Sequence, residues 1–140
     1  MKNLNSDVGH PFISDSLYIS YSDIIDGHGV FTNSDLTPGQ VVEISRLISF
    51  DNRIHRVRHP FADYFFRMDE SRKISGLALG FGSLYNHSED PNVRYKIDRD
   101  RELITYITCK HVKAGSELYI SYGESWWSSR KRVPVSEKNT

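Results

Sequence analysis

Residues 93–109 read Val93-Arg94-Tyr95-Lys96-Ile97-Asp98-Arg99-Asp100-Arg101-Glu102-Leu103-Ile104-Thr105-Tyr106-Ile107-Thr108-Cys109. Val93, Tyr95 and Ile97 share one face of a period-two pattern, which predicts a strand resting on a core. Asp98-Arg99-Asp100 reads as a turn, because short polar side chains bond their own backbone there. The run Leu103–Cys109 alternates again, so the two halves predict a hairpin. Working outward, Leu17–Tyr21 alternates, Val41–Phe50 is rich in β-branched residues, and Leu118, Ile120 and Tyr122 predict a last short strand. Gly27-His28-Gly29, Pro38-Gly39 and Lys113-Ala114-Gly115-Ser116 read as turns. Phe61–Met68, following Pro60, is expected to form a short helix. Glycines 76, 80 and 82 oppose a helix through Ile74–Tyr85, at about 1 kcal/mol each relative to alanine. No segment supports a crossover helix between parallel strands. The fold class is therefore mainly β, with short irregular connections and few short helices.

The chain has 140 residues, 38% hydrophobic and 12% aromatic, which suffices for one domain with a real core and excludes bulk disorder. Eighteen basic and eighteen acidic side chains sum to zero, so no overall basic footprint for nucleic acid exists. Residues 1–50 carry 2 basic and 6 acidic side chains, an acidic third suited to a basic partner. The single cysteine, Cys109, excludes an internal disulfide and a thiolate zinc cluster, and its place in an alternating run predicts a small core residue rather than a nucleophile. No apolar run approaches the roughly 20 residues that cross a bilayer, and the N-terminus lacks an apolar signal core. A soluble intracellular protein is expected. Residues 1–15 are read as an N-terminal extension, 16–130 as the domain, and 131–140 as a flexible tail containing part of the solvated run Arg130-Lys131-Arg132.

Several motifs fail on inspection. Gly80-Phe81-Gly82 begins like a dinucleotide fingerprint, but Tyr85 stands where a third glycine is needed and no amphipathic helix follows. His55 and His59 have helical zinc-ligand spacing, yet Pro60 follows and no third ligand is evident. His87-Ser88 are neighbours on one backbone and lack a G-x-S-x-G elbow, so they do not make a nucleophilic pair.

Three segments stand out together: Gly27-His28-Gly29-Val30-Phe31, Asn86-His87-Ser88-Glu89-Asp90-Pro91-Asn92, and Glu117-Leu118-Tyr119-Ile120-Ser121-Tyr122-Gly123, the last followed by Trp126 and Trp127. In this order and combination they resemble the SET-domain family of S-adenosylmethionine-dependent protein lysine methyltransferases. The nearest type is the minimal free-standing SET protein of large algal viruses and of bacteria. The resemblance covers roughly residues 16–130. It implies short strands in small sheets with a knot-like C-terminal threading, a departure from the usual rule against threaded loops.

It also implies a reaction: methyl transfer from a sulfonium to the ε-nitrogen of a lysine in a protein, a histone among the candidates. The nucleophile must be the neutral amine, and neutralising a lysine of pKa about 10.4 near pH 7.4 costs about 4 kcal/mol. A narrow aromatic channel lowers that cost by disfavouring the charged form. By resemblance, Tyr122 is the catalytic tyrosine. Gly27, His28 (through its main chain), Gly29, Asn86, His87 and Trp127 contact S-adenosylmethionine. Tyr64 and Trp126 line the lysine channel, and Glu117 braces the threaded turn. Family members often carry a cysteine-rich zinc segment after the tyrosine and a cysteine where this chain has Glu89. Neither is present, so the expected protein is zinc-free, with its pocket closed by its own C-terminal residues or by a second subunit in a homodimer. No nucleic acid or membrane partner is expected. Two other readings stay open at this point: an inactive SET-like module that binds peptide or cofactor, and a β-rich adaptor.

Overall fold

The computed structural model describes residues 9–54, 60–68 and 73–123. Ten strands follow in chain order: β1 (Phe12–Ile13), β2 (Leu17–Ser22), β3 (Gly27–Thr32), β4 (Val41–Asp51), β5 (Phe65–Arg67), β6 (Ile74–Ala78), β7 (Asn86–His87), β8 (Val93–Asp98), β9 (Leu103–Thr108) and β10 (Glu117–Ile120). The only helical turns among the described residues are 3-10 turns at Asn52–Ile54 and Pro60–Tyr64. The chain is mainly β, as the sequence predicts.

The strands make two sheets. One has the order β5-β6-β4-β9-β8, with β1 paired to β4, and the other has the order β2-β3-β10-β7. The β8–β9 hairpin forms as expected, with Val93 opposite Thr108 and Asp98 opposite Leu103. Strand β4 is central and covered by β1, so Val42, Glu43, Ile44 and Ser45 are all buried. A register shift between Val41 and Glu43 interrupts the alternation that a half-exposed strand shows. Val30, Val42, Leu47, Ile104, Leu118 and Ile120 are at most 1% exposed and join the two sheets in one core. Burial of each side chain of this kind contributes roughly 1.5–3 kcal/mol.

Five local expectations need correction. Gly27-His28-Gly29 is not a turn: it opens β3, paired with Ser22, Tyr21 and Ser20 of β2. The reversal lies just before it, where the Asp26 amide donates to the Ser22 carbonyl and Asp26 adopts φ 61°. Phe61–Met68 is a 3-10 turn followed by β5 rather than one helix, because β6 offers Phe65–Arg67 a sheet edge. Cys109 lies one residue beyond β9 and is exposed, since the buried positions are Leu103, Ile104, Tyr106 and Thr108. The last strand ends at Ile120, and Tyr122 follows it. Phe12 and Ile13, inside the stretch read as an extension, pair with Ile44 and Glu43. The turns at Pro38-Gly39 and Lys113–Ser116 are present, with Gly39 at φ 87° and Gly115 at φ 89°.

Candidate active site

The three distant motifs meet in the smaller sheet. Strand β10 lies between β3 and β7: Glu117 faces Phe31 in antiparallel pairing, and Tyr119 and Ile120 face Asn86 and His87 in parallel pairing. The Ser88 amide extends that ladder by donating to the Ile120 carbonyl at 2.9 Å. Asn92 then locks the next turn down, its Nδ2 donating to the Glu117 carbonyl at 3.0 Å and its Oδ1 accepting from the Tyr119 amide at 2.8 Å. Pairing of so few residues needs such side-chain bonds, because two-residue strands contribute little by themselves.

Asn86 commits both hydrogens of Nδ2, one to the His28 carbonyl at 3.1 Å and one to Glu117 Oε2 at 2.7 Å. Glu117 Oε1 accepts from the Tyr119 hydroxyl at 3.0 Å, and burial with this bond raises the Tyr119 phenol to about 12. Gly29 makes this cluster possible. A Cβ there would stand 2.1 Å from Glu117 Oε2 and 2.6 Å from Asn86 Nδ2. Gly27 differs, because a Cβ on it would meet nothing within 4 Å. The His28 side chain is exposed beside the Tyr21 ring, and only its carbonyl enters the cluster.

On the other side of the same segment lies a cavity of about 290 Å³ lined by Tyr64, Phe66, Arg67, Tyr85, Tyr95 and Tyr122, with Asp63, Phe65, Ser83 and Gly123 completing the wall. Tyr122 donates its hydroxyl to the Tyr85 carbonyl at 2.8 Å, while its amide donates to His87 Nδ1 at 2.9 Å. The phenol is thus held at both ends by residues 85–87. Burial pushes the Tyr122 phenol up, and the neighbouring Tyr64, Glu117 and Asp63 add to it. Tyr64 is in the cavity wall and 45% exposed at its mouth. The Phe66 and Tyr95 rings meet at 5.3 Å.

Sequence reasoning missed the support beneath this cavity. Glu43 is fully buried, its Oε1 accepting from the Tyr85 hydroxyl at 2.7 Å and its Oε2 from Ser45 Oγ and the Phe81 amide at 2.8 Å each. Burial pushes the Glu43 carboxyl up, and the bonds from Tyr85, Ser45 and the Phe81 and Gly82 amides pull against that shift. The Gly80-Phe81-Gly82 turn therefore cradles the protein's own carboxylate rather than a phosphate. Gly80, at φ 75°, allows the backbone to close on Glu43. Tyr85 and Tyr106 stack at 4.4 Å, and burial holds both phenols well above their ordinary value. A lone acid inside the apolar run Val41–Ile44 was the available signal for this centre.

The structure thus brings Gly29, the His28 carbonyl and Asn86 together in the polar cluster and Tyr64 and Tyr122 together in the cavity wall, with the His87 ring bonded to the Tyr122 amide and Gly27 opening β3 beside open space. Trp126 and Trp127 lie outside the described residues, as do His55 and His59. No group of three or more His, Cys, Asp or Glu side chains among the described residues is arranged to hold a metal ion.

A family model for the SET domain matches residues 27–123. The chain belongs to the SET-domain family of protein lysine methyltransferases. It is similar to the histone-lysine N-methyltransferase, H3 lysine-37 specific, of Schizosaccharomyces pombe, at 33% identity over 121 residues and 81% of each chain. It is also 31% identical over 126 residues to the histone-lysine N-methyltransferase EZH2 of Chaetomium thermophilum, of which it covers 8%. Among solved structures, a Plasmodium falciparum protein described as a histone methyltransferase superposes with TM-score 0.65 at 28% identity, covering 82% of this SET chain and 99% of that one. A Chaetomium thermophilum Polycomb Repressive Complex 2 structure shares the fold, with TM-score 0.62 at 24% identity over 79% of this chain and 15% of that one.

Proposed function

We propose that this SET domain transfers a methyl group from S-adenosylmethionine to the ε-amine of a lysine in a basic protein such as a histone. The observation that carries this reading is the Tyr122 hydroxyl, bonded to the Tyr85 carbonyl in the wall of an aromatic cavity that backs onto the Asn86 cluster. The residues fit the cofactor. Asn86 has spent both Nδ2 hydrogens, and its Oδ1 has no partner among the described residues, so it is available to accept from an α-ammonium. Open space over Gly27 lets a ligand approach the β3 backbone closely. S-adenosylmethionine, when bound, supplies a methyl group on a positively charged sulfur.

The remaining chemistry belongs to this chain. Rings of Tyr64, Phe66 and Tyr95 desolvate the incoming side chain and favour the neutral amine over the ammonium. The Tyr122 hydroxyl donates to the Tyr85 carbonyl in the cavity wall, so toward a ligand its oxygen acts as an acceptor. An amine N–H donated to that oxygen orients the nitrogen lone pair, and orientation of this kind supplies a large share of such rate enhancements. Proton loss to water precedes transfer, so no carboxylate base is required. In this reading Tyr122 is the catalytic residue, and Gly27, His28, Gly29, Asn86 and His87 hold the cofactor. Tyr64 forms the channel mouth, with Trp126 and Trp127 assigned to channel and adenine by resemblance.

Asp15, Asp23, Asp26 and Asp35 are exposed in the acidic first third, while Glu43 is internal. The four aspartates would attract a basic peptide. Neutralising them lowers peptide affinity at low salt if they do. The two curated relatives are both named for histone lysine. A nuclear or other intracellular place of action follows from a histone substrate, and no described helix is long and apolar enough to cross a membrane. A homodimer closing the pocket is part of the proposal, and sedimentation at working concentration tests it. The deciding assay incubates the protein with S-adenosylmethionine labelled on the methyl group and with histones and lysate proteins. Label on lysine supports the reading. Cofactor binding without labelled product overturns it in favour of an inactive SET-like module.

A further inference from the structure

Tyr122 is held through His87, and His87 is in turn held by a residue that the SET resemblance does not account for. The bond from the Tyr122 amide to His87 Nδ1 is 2.9 Å long. A backbone N–H only donates, so Nδ1 must carry a lone pair and the ring proton must sit on Nε2. At Nε2 stands the Glu89 carboxylate, 2.6 Å away, an acceptor at the length of a charge-assisted bond. The His87 side chain is only 5% exposed, whereas Glu89 is 54% exposed, so Glu89 reaches in from the surface to a buried ring. The ring also lies 5.3 Å from the Tyr122 ring. Backbone pairing of His87 with Ile120, and the Ser88 amide bond to the Ile120 carbonyl, fix the stem from which both side chains project.

We infer that Glu89 is a positioning residue: by accepting from Nε2 it selects the His87 tautomer that can hold the Tyr122 amide. The inference rests on the reading of Tyr122 as the catalytic tyrosine. In solution an unconstrained imidazole samples both tautomers, and the other one would set an N–H against the Tyr122 N–H. That clash would release a bond that fixes Tyr122, another being the donation of its hydroxyl to the Tyr85 carbonyl. The exposed acid thereby acts on the cavity through one buried ring, without touching substrate or cofactor.

The test uses the full chain labelled with nitrogen-15 at histidine, with the His87 signals assigned by their loss in His87→Asn. The wild type is expected to show His87 protonated at Nε2 only. Glu89→Ala is expected to populate both tautomers and to lower kcat roughly tenfold, the loss of about one charge-assisted hydrogen bond, while KM for S-adenosylmethionine moves less than about twofold. Glu89→Gln keeps an acceptor oxygen and is expected to restore the tautomer and most of kcat. The inference is overturned if wild-type His87 is protonated at Nδ1, or if Glu89→Ala leaves tautomer and kcat unchanged. A wild type that transfers no methyl group at all overturns the functional reading alone, because the tautomer measurement still decides what Glu89 does to His87.

Discussion

Around Asn86, side-chain and main-chain polar groups bond one another at 2.7–3.1 Å across β3, β7 and β10. Around Tyr122, on the other side of the same short segment, the walls are rings. Residues 85–87 serve both regions: Tyr85 gives its hydroxyl to Glu43 and its carbonyl to Tyr122, Asn86 binds the glycine strand, and His87 holds the Tyr122 amide. A methyl transfer between a charged donor and an uncharged amine calls for this division. Polar atoms suit the zwitterionic end of a cofactor, and apolar rings suit a lysine that must give up its proton. The difference teaches that the polar cluster depends on close backbone approach, whereas the aromatic side depends on buried acceptors behind it.

The sharpest way to break that contrast is Glu43→Ala. It strands the Tyr85 hydroxyl, Ser45 Oγ and the Phe81 amide without their acceptor, and each such group costs roughly 1–3 kcal/mol. Urea unfolding is expected to show a loss of at least about 3 kcal/mol. A loss below about 1 kcal/mol would mean that water satisfies these groups and that the buried carboxylate does not hold the aromatic side.

Next in size, the two glycines of β3 separate structure from binding. Gly29→Ala places a methyl group on the Glu117–Asn86 bond and is expected to lose about 2 kcal/mol of stability together with cofactor affinity. Gly27→Ala meets open space and is expected to keep stability within about 0.5 kcal/mol while S-adenosylmethionine binding weakens. Equal losses of stability in the two variants, or unchanged S-adenosylmethionine binding in Gly27→Ala, would contradict the assignment of that open space to the cofactor.

A smaller effect distinguishes the regions by pH. Tyr85 and Tyr106 are buried and Tyr122 is half-buried, and all three phenols are raised above their ordinary value of about 10, so the folded state keeps protons that the unfolded state releases. Their contribution to stability is complete below about pH 10 and is lost as pH rises through the folded values. Ultraviolet titration is expected to show Tyr85 and Tyr106 ionising only as the protein unfolds. The rate of methyl transfer is then expected to rise with pH as substrate lysine loses its proton, with no tyrosinate limb below about pH 10.

The hairpin at residues 93–108, the turns at Gly39 and Gly115 and the convergence of three motifs were legible because each rests on local pattern or on a set of residues in order. Gly27-His28-Gly29 reads as a turn because glycine is rare in strands, whereas it pairs with β2 and its Gly29 leaves room for Glu117 and Asn86. Alternation carried to Cys109 puts its thiol inside, but β9 ends at Thr108 and Cys109 is exposed. Glu43 and Tyr85 are not legible as site residues because their roles depend on distant partners, Tyr85 to Glu43 at a separation of 42 and Phe81 to Glu43 at 38. No local period records such pairing.

The measurement that most directly tests the assignment of Tyr122 is the kinetic comparison of wild type with Tyr122→Phe on one lysine peptide, alongside cofactor binding by calorimetry. The expected result is a rise of about 2–3 kcal/mol in the barrier, roughly 30- to 150-fold in kcat, with the affinity for S-adenosylmethionine nearly unchanged. Wild-type turnover in Tyr122→Phe would contradict the account, because the phenol oxygen bonded to the Tyr85 carbonyl would then have no part in the transfer.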